Sequence, residues 1–84
     1  MITVIVIAKN EEQRIKAALE SVKWADEIIV ADNGSTDKTK HIARQFTTKI
    51  FEYDGLDFAT IRNKASEKAT SDWILYIDAD ERVL

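Results

Sequence analysis

EIIVADNGSTD, running from Glu27 to Asp37, holds a short apolar run closed by an acid, an Asn-Gly pair and a Ser-Thr-Asp cluster. Asn-Gly between apolar runs normally signals a hairpin. Here Ser35, Thr36 and Asp37 are capping residues, and Ile42, Ala43 and Phe46 follow at helical spacing, so strand–turn–helix is the consistent reading. A strand that feeds a helix belongs to a parallel α/β sheet.

Upstream, Ile2 to Ala8 is a β-branched run without polar alternation, the pattern of a central strand covered on both faces. Asn10, with Gln13 three residues on, reads as an N-cap and capping box, with Glu11 and Glu12 in the first turn where acids are favoured. Ile15, Ala18, Leu19 and Val22 then form one apolar stripe. Downstream, Thr48 to Tyr53 alternates and reads as a strand nearer an edge, while Asp54-Gly55 makes a turn. Phe58, Ile61, Ala65 and Ala69 mark a third helix, and Trp73 to Ile77 is a fourth strand ending at Asp78. This alternation predicts a three-layer, Rossmann-like α/β sandwich with a mostly parallel sheet of about four strands. Trp24, Phe46, Phe51, Phe58 and Trp73 are expected in the core, and His41 on the surface.

The 84 residues suffice for one small domain, with 45% hydrophobic and 32% charged residues. Twelve Lys and Arg against 15 Asp and Glu give a net charge of −3, so no basic stripe exists for nucleic acid. The absence of cysteine removes disulfides, zinc ribbons and thiol nucleophiles, and a single His cannot build a histidine metal cluster. The apolar runs are far short of a membrane span, and the first is followed by charged residues instead of a cleavage site. The chain is accordingly expected to begin at Met1, without a transmembrane segment and in the cytoplasm.

Ligands of open parallel sheets bind at the carboxyl ends of strands, beside the point where strand order reverses. If the second and third strands lie on one side of the first and the fourth on the other, Asp32, Asp78 and Asp80 rim one crevice. In an extended chain, Asp78 and Asp80 project to the same side. A hard divalent cation, Mg²⁺ or Mn²⁺, completed by phosphate oxygens and water, would relieve their repulsion. A solvated turn is the alternative, and Glu81 is a candidate third ligand that is expected instead to be solvated. Asp32 can accept a hydrogen bond from an N–H of a planar base, or close its own loop as an Asx-turn. Arg62, between Phe58 and Ala65, falls on the apolar stripe of its helix, where it needs an anion or must reach out to solvent. A nucleotide contact and a bridge to Asp54 or Asp57 both satisfy it. The first strand–helix turn has no glycine, so the dinucleotide fingerprint is absent, as is a P-loop. A phosphoryl-aspartate hydrolase would want Thr or Val where Arg82 stands.

Taken in order, IAKNEE, DNGSTD, the Arg62-Asn63 pair and DWILYIDADERV resemble the nucleotide-binding half of glycosyltransferase family 2, particularly bacterial enzymes of the lipopolysaccharide-core glucosyltransferase kind. The resemblance covers essentially the whole chain. It implies a GT-A fold, inverting transfer from a UDP-sugar or similar donor, and a divalent metal. By position it implies that Ala8 lies near the base, that Asp32 bonds the uracil, and that Arg62 supports base or phosphates. It likewise implies that Asp78 meets the ribose and Asp80 the metal-diphosphate. In that family the acceptor site and the catalytic base come from the second half of the domain, so residues 1–84 are expected to be the donor-binding half with no catalytic base of their own. A noncatalytic nucleotide- or partner-binding module is the alternative. The strand edge left open by the missing half predicts a homo-oligomer.

Overall fold

The computed structural model describes residues 1–81; Arg82 and Val83, at the end of the last motif, lie outside the described residues. Four strands and three helices alternate: β1 (Ile2–Ala8), α1 (Ile15–Ser21), β2 (Glu27–Asp32), α2 (Thr39–Ala43), β3 (Ile50–Glu52), α3 (Phe58–Ser66) and β4 (Trp73–Asp78). The sheet is wholly parallel in the order β3-β2-β1-β4, so the direction of winding reverses between β1 and β4.

The apolar run of β1 is central because both its faces are covered. On one face Val4, Val6 and Ala8 pack with Ile15, Ala18, Leu19 and Val22, and with Ala43 of α2. On the other, Ile5, Ile7, Ile29 and Ala31 pack under Ile61 and Ala65 of α3. All four positions of the α1 stripe are fully buried. Truncating Leu19 to Ala should cost about 2–5 kcal/mol, the range for a cavity at such a site.

Helix boundaries depart from the sequence expectation for a common reason. Asn10 does not cap α1: it sits at φ +52°, and its side chain accepts a hydrogen bond from the Thr36 N–H across the sheet end. Regular helix therefore begins at Ile15, preceded by a single turn in which the Ile15 N–H donates to the Glu11 carbonyl. Likewise α2 starts only at Thr39: Lys38 before it gives no side-chain cap, Ser35 bonds the β1–α1 loop, and Asp37 accepts both from that loop and from the Thr39 N–H at 2.9 Å. Asp57, by contrast, caps α3 by accepting from the Thr60 N–H at 2.7 Å. The third strand is shorter than the expected 48–53 and lies at an edge, as its alternation implies. Trp24, Phe58 and Trp73 are not core residues: they are 55%, 60% and 71% exposed. Each lies at or just outside an element end, where no facing layer covers it. Phe46 and Phe51 are half-buried against the two core clusters.

The amino ends of the strands are tied by Glu27, a buried acid at the start of β2. Its carboxylate accepts from the Thr3 hydroxyl at 2.6 Å, from the Thr70 N–H at 2.9 Å and hydroxyl at 3.1 Å, and from the Lys49 ammonium. Burial alone would raise its pKa, but the bonds from Lys49, Thr3 and Thr70 outweigh that effect and lower it to about 2.

Candidate functional site

At the opposite end of the sheet, an open cleft of about 200 Å³ lies across the switch point between β1 and β4. Register sets its walls: Ala8 is opposite Asp32 on one side of β1, and Ile7 is opposite Asp78 on the other. Ala8, Lys9 and Glu11 line one part, Asp78 and Asp80 another, with Asn33 and the exposed Phe58 also at its wall.

The anticipated residues divide accordingly. Ala8, Asp78 and Asp80 meet at the cleft, but Asp32 does not line it. Asp32 is fully buried, and its Oδ2 accepts from the Ser35 N–H at 2.9 Å, which closes the β2–α2 loop. Its Oδ1 is buried without a hydrogen-bond partner among the described residues. The group that β2 presents to the cleft is the next residue, Asn33, whose Oδ1 accepts from the Gly55 N–H at 3.1 Å. Its amide NH₂ remains as a donor. Sequence reading passed over Asn33 as a turn residue; what identifies it is the end of β2 pairing at Asp32, one position earlier. Gly34, at φ +77°, makes the turn that follows, a conformation L side chains rarely adopt.

Arg62 is not on the buried stripe of α3, which is formed by Ile61 and Ala65; it is exposed. Among the described residues it makes no ion pair with Asp54 or Asp57. Instead its guanidinium lies over the Tyr76 ring, 5.7 Å from the centroid, on the neighbouring strand. There it acts on Asp78 two residues along β4.

The pKa of Asp78 is raised, first by burial and then by the charges of Glu81 and Asp80, with Arg62 opposing. Glu81 is more than a solvated acid: its carboxylate accepts from the Asp78 N–H at 2.7 Å, and its own N–H donates to the Asp78 carbonyl at 2.9 Å. The strand end is thereby folded into a turn that holds Asp78 and Asp80 exposed side by side. No group of three or more His, Cys, Asp or Glu stands together as a metal cage among the described residues. A cation here would rest on Asp80 and on oxygens of the ligand, a hard-oxygen set suited to Mg²⁺ or Mn²⁺.

The family model for glycosyl transferase family 2 matches residues 3–84. The chain belongs to this family. An uncharacterized glycosyltransferase of Rickettsia typhi, RT0209, is 43% identical over 83 residues, covering 98% of this chain and 28% of the relative. Among solved structures, S. aureus TarS 1–349 in complex with UDP superposes with a TM-score of 0.78 and 26% identity, over 96% of this chain and 28% of that one. Glucosyl-3-phosphoglycerate synthase from Mycobacterium tuberculosis, in complex with UDP, superposes with a TM-score of 0.79 and 26% identity, over 96% and 34%. The family 2 chain thus has the α/β architecture of these GT-A glycosyltransferases and spans less than a third of the curated relatives it first matches. No helix among its described residues is long and apolar enough to cross a membrane.

Proposed function

We propose that this chain is the donor-binding portion of a family 2 glycosyltransferase and that its cleft holds a nucleoside diphosphate sugar, a UDP-sugar foremost. The observation that carries the reading is the pairing of Asp78 and Asp80 at the carboxyl end of β4, facing Ala8 and Asn33 across the switch point. The UDP in the complexes of TarS and glucosyl-3-phosphoglycerate synthase supports the choice of nucleotide.

The chemistry of the loops bears on how a diphosphate would be met. In glycine-rich sites, free backbone N–H groups cradle phosphate. Here the N–H groups of Asn10, Glu11 and Glu12 are all taken by the side chains of Ser35, Thr39 and Asp37. Phosphate charge must therefore be balanced by cations, and the acids at the cleft recruit rather than supply them. Asp80 would hold Mg²⁺ or Mn²⁺, which when bound stabilises negative charge on the leaving diphosphate. The chain's own residues bind and orient: Asn33 offers a donor to a carbonyl of the base, Ala8 leaves room beside it, Asp32 fixes the loop that carries Asn33, and Arg62 adds positive charge beside Asp78. Inverting transfer needs a base aligned with the acceptor hydroxyl, so residues 1–84 are proposed as the donor half of the reaction.

Within this reading Asp78 meets a ribose hydroxyl and Asp80 the diphosphate with its metal. Calorimetric titration of uridine and UDP with and without Mn²⁺ tests it. Asp80→Asn should abolish the Mn²⁺ dependence of UDP binding and leave uridine binding nearly intact. Asp78→Asn should weaken both ligands by about 1–3 kcal/mol, the value of one charge-assisted hydrogen bond. Equal, metal-independent effects of the two substitutions would defeat the division of roles, and no UDP uptake by the unsubstituted chain would defeat the function itself.

A further inference from the structure

The loop from Lys9 to Glu12 is held from outside. Three successive backbone amides donate to three side chains of the β2–α2 segment: Asn10 to the Ser35 hydroxyl at 2.9 Å, Glu11 to the Thr39 hydroxyl at 2.9 Å, and Glu12 to the Asp37 carboxylate at 3.3 Å. The Asn10 side chain returns the contact by accepting from the Thr36 N–H at 2.8 Å. Thr39 is fully buried, and its hydroxyl also donates to Asp37, so its lone pair is aimed at the Glu11 amide. Asn10 is held at φ +52°, a region that disfavours non-glycine residues and that Asn tolerates best. These partners do not line the cleft, whereas Lys9 and Glu11, on the loop they grip, do.

We propose that Thr39, with Asn10 and Asp37, is a positioning group for nucleotide binding: it sets the place of the Lys9–Glu11 wall and so governs affinity without touching the ligand. The inference rests on the proposed reading of the cleft as a nucleoside diphosphate site. Its physical basis is that a wall built on a loop is only as well placed as the bonds that hold the loop. Asn10 thereby gains a role that neither helix capping nor cleft lining accounts for, and Asp37, which also accepts from the Thr39 N–H, gains one beyond holding the start of α2.

The test uses Thr39→Val, which keeps the buried volume and removes the hydroxyl, and Thr39→Ser, which retains the hydroxyl. Asn10→Gly keeps the backbone conformation and removes the acceptor, with Asn10→Asp as its acceptor-retaining partner. Two quantities are read: the Kd for UDP per folded molecule, and hydrogen exchange at the Glu11 amide without ligand. Thr39→Val and Asn10→Gly should each weaken UDP binding about tenfold, in the range seen when supporting partners of a site are removed. In Thr39→Val the Glu11 amide should exchange faster, whereas Thr39→Ser should keep both readouts near those of the unsubstituted chain. Faster exchange with unchanged Kd overturns the proposal, as does unchanged exchange at Glu11. Should Thr39→Val fail to fold, Asn10→Gly against Asn10→Asp carries the Kd comparison, and equal Kd values for the two overturn the proposal. If the unsubstituted chain takes up no UDP, the functional reading falls separately, and the grip on the loop is judged by exchange alone.

Discussion

Asp78 is held at the end of β4 by a ladder that continues past it, the Ala79 N–H donating to the Ile7 carbonyl at 2.9 Å. Its charge is unwelcome to the fold, because burial and the neighbouring acids Glu81 and Asp80 raise its pKa. For an acid whose folded pKa is raised, the fold is favoured below the unfolded value and loses stability as pH rises through the folded one. Asp78→Asn should consequently raise Tm by a few degrees at neutral pH while lowering UDP affinity; the gain is small because solvent screens an exposed charge. A fall in Tm, measured by thermal unfolding at pH 7, would contradict this. Arg62 works in the other direction, favouring the charged form of Asp78. Arg62→Ala should therefore raise the Asp78 pKa further, visible in a carboxyl NMR titration, and weaken UDP binding more than it weakens folding. Because the guanidinium rests on the Tyr76 ring, Tyr76→Phe should leave both readouts nearly unchanged and Tyr76→Leu should shift them toward Arg62→Ala.

The elements are secured at both ends of the sheet by side chains that join them across long sequence distances. At the amino end, Glu27 joins β1, β2, the approach to β3 and the approach to β4. Its lowered pKa, about 2, means that its contribution is present above the ordinary glutamate range and is lost as pH falls from about 4.5 toward 2. Glu27→Gln should cost roughly 1–3 kcal/mol at pH 7, the range for bonds to a charged group, and should flatten acid unfolding across that interval. Urea titrations at pH 7 and pH 3 measure both effects. The elements themselves were legible in the sequence because their signals are local: the unbroken run of β1, the α1 stripe, and the turn at Gly34 each carry their own pattern. Glu27, Asn10 and Ser35 were not, since an acid opening a strand or a polar residue after one looks like a cap or a solvated end until its partner, 24 or 25 residues away, is known. The same limit hid Asn33. The end of β2 had to be located by its pairing before it was clear that Asp32 turns inward and its neighbour outward.

Across the whole molecule, the sheet is closed by helices on both faces and left open at β3 and β4. Along β4, Trp73 is exposed and Ile74, Leu75 and Tyr76 are half-covered, an apolar strand with an unpaired outer edge among the described residues. Such an edge favours pairing with another strand. The isolated chain is expected to self-associate, and sedimentation should show a concentration-dependent dimer that Leu75→Lys weakens; a stable monomer at high concentration would refute it. Strand order has a further effect, on synthesis. Within these residues β1 is made about 70 residues before its partner on one side, β4. At translation speeds of about 5–20 residues per second, β1 waits roughly 4–14 s with one flank bare. Among the described strands the most apolar one thus waits longest for its second partner, and a nascent chain stalled before Trp73 should be the form that chaperones hold and proteases find.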